Sequence, residues 1–406
     1  MQVITSTTDL AAACHRLSSE PYITVDTEFI RERTYWSQLC LVQIAPPGAD
    51  EDDALLIDPL AEGIDLAPLF DLMVNDDVTK VFHAARQDVE IFHHLSGKIP
   101  VPLVDTQVMA MVCGHGDQVG YETIVRRIAR AEIDKSSRFT DWSRRPLTEK
   151  QLRYARSDVT HLRQVFLALK DEVERSGRAH WVAEEMAILT SPDTYINDPD
   201  MMWTRVKARS NNPKFLAVIR SIARWREITA QSRDLPRSRV LKDDALIEIA
   251  TAKPKTPQDF GKLRLAQRDV RKPDVTAEIL AAVAEGQACP ADRLPKIQVP
   301  PRRREGSAAV SDMLRVFLKA RADELKVASK LIASSSDLDA LAGETEPDLP
   351  LLKGWRREVF GEDALRICAG EIGLAVGPSG IRVISLEVAS EGHLDATRES
   401  VNANTG

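Results

Sequence analysis

Over the first hundred residues the apolar positions come in short runs; further on they recur at helical spacing. Residues 22–29, 37–45 and 54–58 are apolar and β-rich, with polar or turn segments between them. Runs of that length bounded by turns predict three consecutive strands, neighbours in an antiparallel meander. "DLAPLFDLM" (65–73) has apolar residues three and four apart and predicts a helix. "VTKVFHA" (78–84) predicts a fourth strand, "ARQDVEIFHHL" (85–95) a helix, and "VPLVDT" (101–106) a short fifth strand. From there to about residue 189 the pattern is helical, and its longest piece is "LTEKQLRYARSDVTHLRQVFLALKDEV" (147–173). Thr148, followed by Lys150 and Gln151, marks a helix start. A meander followed by strand–helix–strand predicts a mixed sheet with helices on its faces.

Past Ser191 the style changes. "SPDTYINDPD" (191–200) reads as a linker, residues 212–288 as helix and turn, and "ACPADRLPKIQVPPRRREG" (288–306) as a second linker. Residues 308–370 are helical again, and the tail from Gly377 is polar enough to predict partial disorder. The expected boundaries are 1–190 for the α/β domain, 191–210 for a linker, 211–290 for a helical domain, 291–306 for a second linker, 307–372 for another helical domain and 373–406 for a tail. An offset of 92 residues superposes Trp225 on Phe317, Val240 on Ile332, Leu246 on Leu338, Ile249 on Leu341 and Ala250 on Ala342. Either a helical core is repeated or two amphipathic helices match by chance.

Composition narrows the class. A chain of 406 residues, 43% hydrophobic and 28% charged, is globular and long enough for two or three domains. The cysteines (Cys14, Cys40, Cys113, Cys289, Cys368) are odd in number and dispersed, which argues for a reducing compartment and against a disulfide frame or a zinc site. The start of the chain has no signal-peptide pattern, and no run of 18 apolar residues exists, so a cytoplasmic protein without membrane contact is expected. Net charge is −7, unevenly spread: residues 201–310 hold 23 Lys and Arg against 12 Asp and Glu, the remainder 31 against 49. A basic middle in an acidic chain suggests a polyanion-binding module, with a solvated helical surface as the plainer alternative.

The chemistry concentrates in four acids and one phenol. Asp26 and Glu28 lie two apart on a predicted strand and so share a face. Asp88 falls in the first turn of a predicted helix just after a strand, where it could equally serve as a dipole partner. Tyr154 and Asp158 are four apart and stack on one helical face. Taken singly, each is ordinary surface. Together, carboxylates about 4 Å apart would repel by roughly 4 kcal/mol at an effective dielectric near 20. Such a group needs a cation, and oxygen-only ligands favour Mg²⁺ or Mn²⁺ over zinc.

Three ordered stretches then resemble the exonuclease motifs of the ribonuclease D family, DEDD-type 3′→5′ exonucleases of RNase H-like fold. They are "VDTEFIRERTYWSQLCLVQIA" (25–45), "KVFHAARQDVEIF" (80–92) and "DWSRRPLTEKQLRYARSDVTHL" (141–162). Tyr154 places the chain in the tyrosine branch (DEDDy), and "ARWREITAQSRDLPRSRVLKDDALIEIA" resembles the helicase-and-RNase-D C-terminal (HRDC) domain. The resemblance implies an α/β RNase H-like exonuclease domain with a mixed five-stranded sheet, followed by all-α HRDC domains. It implies two divalent ions: Asp26 between both, Glu28 and Asp158 on the one that binds the attacking water, Asp88 on the other through water, and Tyr154 orienting the water. The reaction would release 5′-mononucleotides from RNA with a single-stranded 3′ end, such as precursor tRNA, with the chain acting as a monomer.

Substrate contacts are expected from Phe29, Tyr35, Trp36 and Trp142 by stacking, and from Lys135, Arg144, Arg145, Arg31 and Arg33 on phosphates. Phe29 could equally be core. His83 reads as a strand-end histidine with its hydrogen bonds satisfied. Arg205, Lys207, Arg209, Lys214, Arg220, Arg224 and Arg226 would form the basic surface of the helical module. A DNA-directed exonuclease and a non-catalytic RNA-binding protein are the alternatives; intact acids argue against the second.

Overall fold

The computed structural model describes residues 3–48, 50–265, 269–296, 306–344, 347–378 and 380–386. The chain divides into two compact units, Met1–Thr106 with Tyr121–Ala168 and Glu185–Val299, and Gln107–Gly120 with Leu169–Glu184 and Pro300–Gly406.

The elements of the α/β part are β1 (Val3–Ile4), α1 (Thr7–Leu17), β2 (Tyr22–Ile30), β3 (Gln38–Ala45), β4 (Leu55–Ile57), α2 (Ala67–Met73), β5 (Thr79–Phe82), α3 (Arg86–Ser96), β6 (Leu103–Asp105), α4 (Thr106–Val112), α5 (Tyr121–Ile128), α6 (Glu149–Arg175) and α7 (Ala179–Leu189). The sheet order is β1-β4-β3-β2-β5-β6. The meander β2–β3–β4 is antiparallel as expected, and β5 and β6 run parallel to β2. The sheet has six strands rather than five. The extra one, β1, pairs parallel to β4, and two residues are too few to carry a periodic signal. The helix α1 was also missed; Ser6 caps it by accepting from Asp9 N, and it buries Leu10, Ala13, Cys14 and Leu17. Thr148 and Gln151 cap α6 reciprocally: the Gln151 side chain accepts from Thr148 N at 3.0 Å and Thr148 Oγ1 from Gln151 N at 3.3 Å.

The first unit continues with α8 (Pro213–Ser232), α9 (Arg237–Val240), α10 (Asp243–Ala252), α11 (Pro257–Gly261) and α12 (Pro273–Gln287). Their apolar faces meet in one core around Ile219, Ile222, Leu246, Ile249, Phe260 and Ile279. Gly286 on α12 lets α8 approach: a Cβ there would lie 2.6 Å from Val218 Cα. Glu227 of α8 is fully buried and receives the Tyr35 hydroxyl and the Arg237 guanidinium, at 2.5 and 2.6 Å for the latter. Asp234 accepts from the backbone N–H of Tyr35 and Trp36, each at 2.9 Å.

The second unit contains α13 (Ser307–Leu325), α14 (Ser329–Ile332), α15 (Ser335–Gly343), α16 (Gly354–Arg356), α17 (Glu362–Cys368) and a ribbon of β7 (Ile372–Gly377) and β8 (Gly380–Ser385). Trp355 is fully buried and stacks on Trp181 at 4.6 Å. The offset of 92 carries α9 onto α14 and the start of α10 onto the start of α15. Ile332, Leu338, Leu341 and Ala342 are buried, as are Val240, Leu246, Ile249 and Ala250. The β7–β8 ribbon occupies the beginning of the segment expected to be disordered; residues 387–406 lie outside the described residues.

Candidate active site

The site forms where β2 faces α6. Strand alternation puts Thr24, Asp26 and Glu28 on one face, and the Thr24 hydroxyl donates to Val159 O of α6 at 2.8 Å. Asp158 is the residue before. Ligand atoms of Asp26, Glu28 and Asp158 all lie within 4.8 Å of one another; Asp158 is buried and the other two half-buried. The β2–β3 register shifts between Glu28 and Phe29, so regular pairing is interrupted just past the second acid.

Asp88 is held separately. The turn from β5 into α3 needs Ala84 at φ 63°, and Asp105 stabilises it by accepting from Ala84 N and Ala85 N at 2.9 Å each. Asp88 then accepts from the Thr27 hydroxyl at 2.5 Å. Thr27 lies between the two strand acids and points to the opposite face, so it joins Asp88 to the strand that carries them.

The electrostatics follow from packing carboxylates together away from water. Burial raises Asp26 well above its ordinary pKa, and Asp158, Asp88 and Glu28 push it further. Glu28 is pushed up to about 9 by burial and then by Asp158 and Asp88. Burial lifts Asp88 to about 7 against the Thr27 hydrogen bond, and lifts Asp158 to about 7 against the hydrogen bond from Tyr154. Tyr154, one turn before Asp158, has its own pKa driven far up by burial and the carboxylates. It therefore stays protonated and donates. On the face shared with Asp26, the facing residue across β3 is Gln43. Gln43 is fully buried, and neither atom of its amide has a partner. An all-oxygen donor set, carboxylates crowded together away from water, and an unsatisfied buried amide on the same face together fit a hard divalent ion.

The expected substrate residues fare unevenly. Phe29 is half-buried at the register shift. Tyr35 is a correction: it is 5% exposed, its hydroxyl bonds Glu227 and Arg237 covers its ring, so no base can stack there. Trp36 is half-buried and stacked on His94 at 4.0 Å. Trp142 is a second correction, 2% exposed against Cys40, Leu41 and Leu152 in the core. Arg145 is structural: it makes a bidentate pair with Asp58 at 2.6 Å and donates to Cys40 O. Arg31 pairs with Glu90. Arg144 is exposed and pairs with Asp141 at 3.3 Å, whereas the Lys135 side chain lies outside the described residues. His83 is hydrogen-bonded to Thr106 Oγ1 at 2.9 Å, as its strand-end position suggested. On the helical module Arg226 is buried against Asp243 and Leu241 O and is withdrawn from the basic surface. Lys207, Arg209 and Lys214 are exposed.

Sequence reasoning overlooked Thr27, Asp105 and Gln43. Thr27 could have been found, since a hydroxyl between two clustered acids has few apolar reasons to be there. Gln43 and Asp105 needed the strand register.

Comparison with known proteins assigns the class first. Residues 1–174 match a family model described as 3′-5′ exonuclease, and residues 215–283 match the HRDC domain. A curated ribonuclease D of Jannaschia sp. (strain CCS1) is 54% identical over 94% of this chain and 99% of that protein. The ribonuclease D of Nitrobacter hamburgensis is 50% identical over 95% of this chain and all of its own. Among solved structures, Escherichia coli RNase D, described as an exoribonuclease involved in structured RNA processing, superposes with a TM-score of 0.79 at 29% identity, covering 91% of this chain and 98% of that one. The chain belongs to the ribonuclease D family and is a 3′→5′ exoribonuclease.

Proposed function

We propose that Asp26, Glu28 and Asp158, with Asp88, hold two divalent ions, Mg²⁺ or Mn²⁺, and that Tyr154 places the attacking water. The observation that carries this reading is three carboxylates whose ligand atoms lie within 4.8 Å of one another, with Tyr154 one turn before Asp158 on the same helix. The ions, when bound, supply charge that activates water and neutralises the leaving oxygen. The Tyr154 hydroxyl is spoken for as a donor; a group so reluctant to ionise positions water rather than taking its proton. Thr27 keeps Asp88 in place through its hydroxyl.

Trimming would proceed from the single-stranded 3′ end of precursor tRNA or another small structured RNA and release 5′-mononucleotides. The exposed Lys207, Arg209 and Lys214 would track the phosphates of the structured part without reading sequence. The protein would act as a monomer in the cytoplasm; free thiols at all five cysteines suit a reducing compartment, and no described helix is long and apolar enough to cross a membrane. The test is purified protein with 3′-tailed RNA or matched DNA, in Mg²⁺, Mn²⁺ or chelator. Stepwise loss of mononucleotides from the RNA tail, stopping at the duplex and abolished by chelator, is expected. Trimming in chelator would remove the metal reading, and equal or faster trimming of DNA would favour a DNA-directed enzyme.

A further inference from the structure

Phe139 is 91% exposed, an expensive placement for a large apolar side chain, and it sits on an ordered turn. Thr140 N donates to Ser137 O at 3.2 Å, and Thr140 Oγ1 donates to the same carbonyl at 2.7 Å. Arg138 and Phe139 are thus the two central residues of a tight turn. Ser137 is buried. The Gln151 amide donates to Thr140 Oγ1 at 3.1 Å, and the same side chain caps α6, the helix that carries Tyr154 and Asp158. The turn is tied to the start of the catalytic helix.

The two displayed side chains complement each other. The Arg138 guanidinium lies over the Phe139 ring, 5.2 Å from its centroid, which leaves the ring's other face open. Through Gln151 the pair stands at the head of the helix that carries Tyr154 and Asp158. An exposed aromatic face with a cation next to it matches the alternation of base and phosphate along a single strand.

We propose that the Ser137–Thr140 turn is a subsite for the single-stranded 3′ tail, in which Phe139 stacks on a base and Arg138 meets a neighbouring phosphate. This rests on the exonuclease reading and adds to it a contact that grips the tail whatever its sequence, since every base has a π face.

The test uses the full chain as wild type, Phe139→Ala, Phe139→Trp and Arg138→Gln. Substrates are 3′-tailed RNAs with 2-aminopurine, or an abasic nucleotide, at each of the terminal positions. Binding is read by 2-aminopurine fluorescence with Ca²⁺ in place of the activating ion, and turnover with Mg²⁺. Phe139→Ala is expected to raise KM about tenfold, equivalent to about 1.4 kcal/mol, with a smaller change in kcat. Phe139→Trp restores wild-type KM. Stacking quenches 2-aminopurine at one tail position in the wild type and not in Phe139→Ala, and an abasic nucleotide there removes the difference between the two proteins. Arg138→Gln lowers the salt slope of binding by about one contact. Unchanged KM and quenching in Phe139→Ala would overturn the proposal. So would a defect that persists on the abasic tail, which would show the residue to be structural. A wild type that trims nothing would overturn the exonuclease reading, while the fluorescence arm, needing no turnover, would still decide whether Phe139 stacks.

Discussion

Replacing Asp158 by Asn separates the site's cost from its use. In metal-free protein Asp158 and Asp88 bind protons up to about pH 7 and Glu28 up to about pH 9, whereas an unfolded chain releases them near pH 4. The folded state therefore holds more protons between these limits, and stability falls as pH rises. The contribution is fully present below about pH 4 and lost as pH passes 7 to 9. For Asp158 alone, a rise from 3.8 to about 7 corresponds to a loss on the order of 4 kcal/mol. Asn removes that charge and keeps an oxygen to accept from Tyr154. A gain of about 1–3 kcal/mol at pH 8 in chelator is expected for the variant, or several degrees in melting midpoint at about 2–4 °C per kcal/mol. The gain should vanish near pH 4. Mn²⁺ at a hundred times its dissociation constant should add about 2.7 kcal/mol to the wild type and much less to the variant, which should also leave RNA tails intact. Thermal melts at pH 4 and 8, with and without Mn²⁺, decide it. A variant that melts at or below the wild type at pH 8, or that gains as much from Mn²⁺, refutes the burial of charged carboxylates away from water as the site's dominant energetic cost.

Two further expectations follow from the helical module. Changing Lys207, Arg209 and Lys214 together to Gln should flatten the slope of log affinity against log salt by about 2–3, measured by fluorescence anisotropy with structured RNA; an unchanged slope would place the phosphates elsewhere. Arg237→Ala should cost about 3–5 kcal/mol in urea denaturation, because it strips a fully buried carboxylate of its cation. Burial works to raise the Glu227 pKa, but hydrogen bonds from Arg237 and Tyr35 outweigh it and keep the group ionised. A loss under about 1 kcal/mol would mean that water reaches Glu227.

Much of the α/β architecture was legible along the chain, because side-chain alternation and helical spacing are local properties. The meander, the two parallel strands and the helix bearing Tyr154 and Asp158 all stand where periodicity put them. The pairs Asp26 with Glu28 and Tyr154 with Asp158 needed only the pitch of a strand and a helix. Their convergence did not follow from pitch; three motifs in family order suggested it. The two-residue β1 escaped because it exists through its partner β4.

Aromatic and basic residues are where local reading failed. Tyr35, Trp142 and Arg226 have the chemistry of RNA contacts, yet each is buried with partners remote in sequence, Glu227 for Tyr35 and the Leu41 region for Trp142. Phe139 went unnoticed in a stretch without period, and its exposure is fixed by hydrogen bonds from Thr140 and Gln151. Residue type and spacing decided which groups could bind an ion or a nucleotide. Which of them face solvent, which face one another and which are used up inside the core was decided by long-range packing, because burial depends on residues that no local window contains.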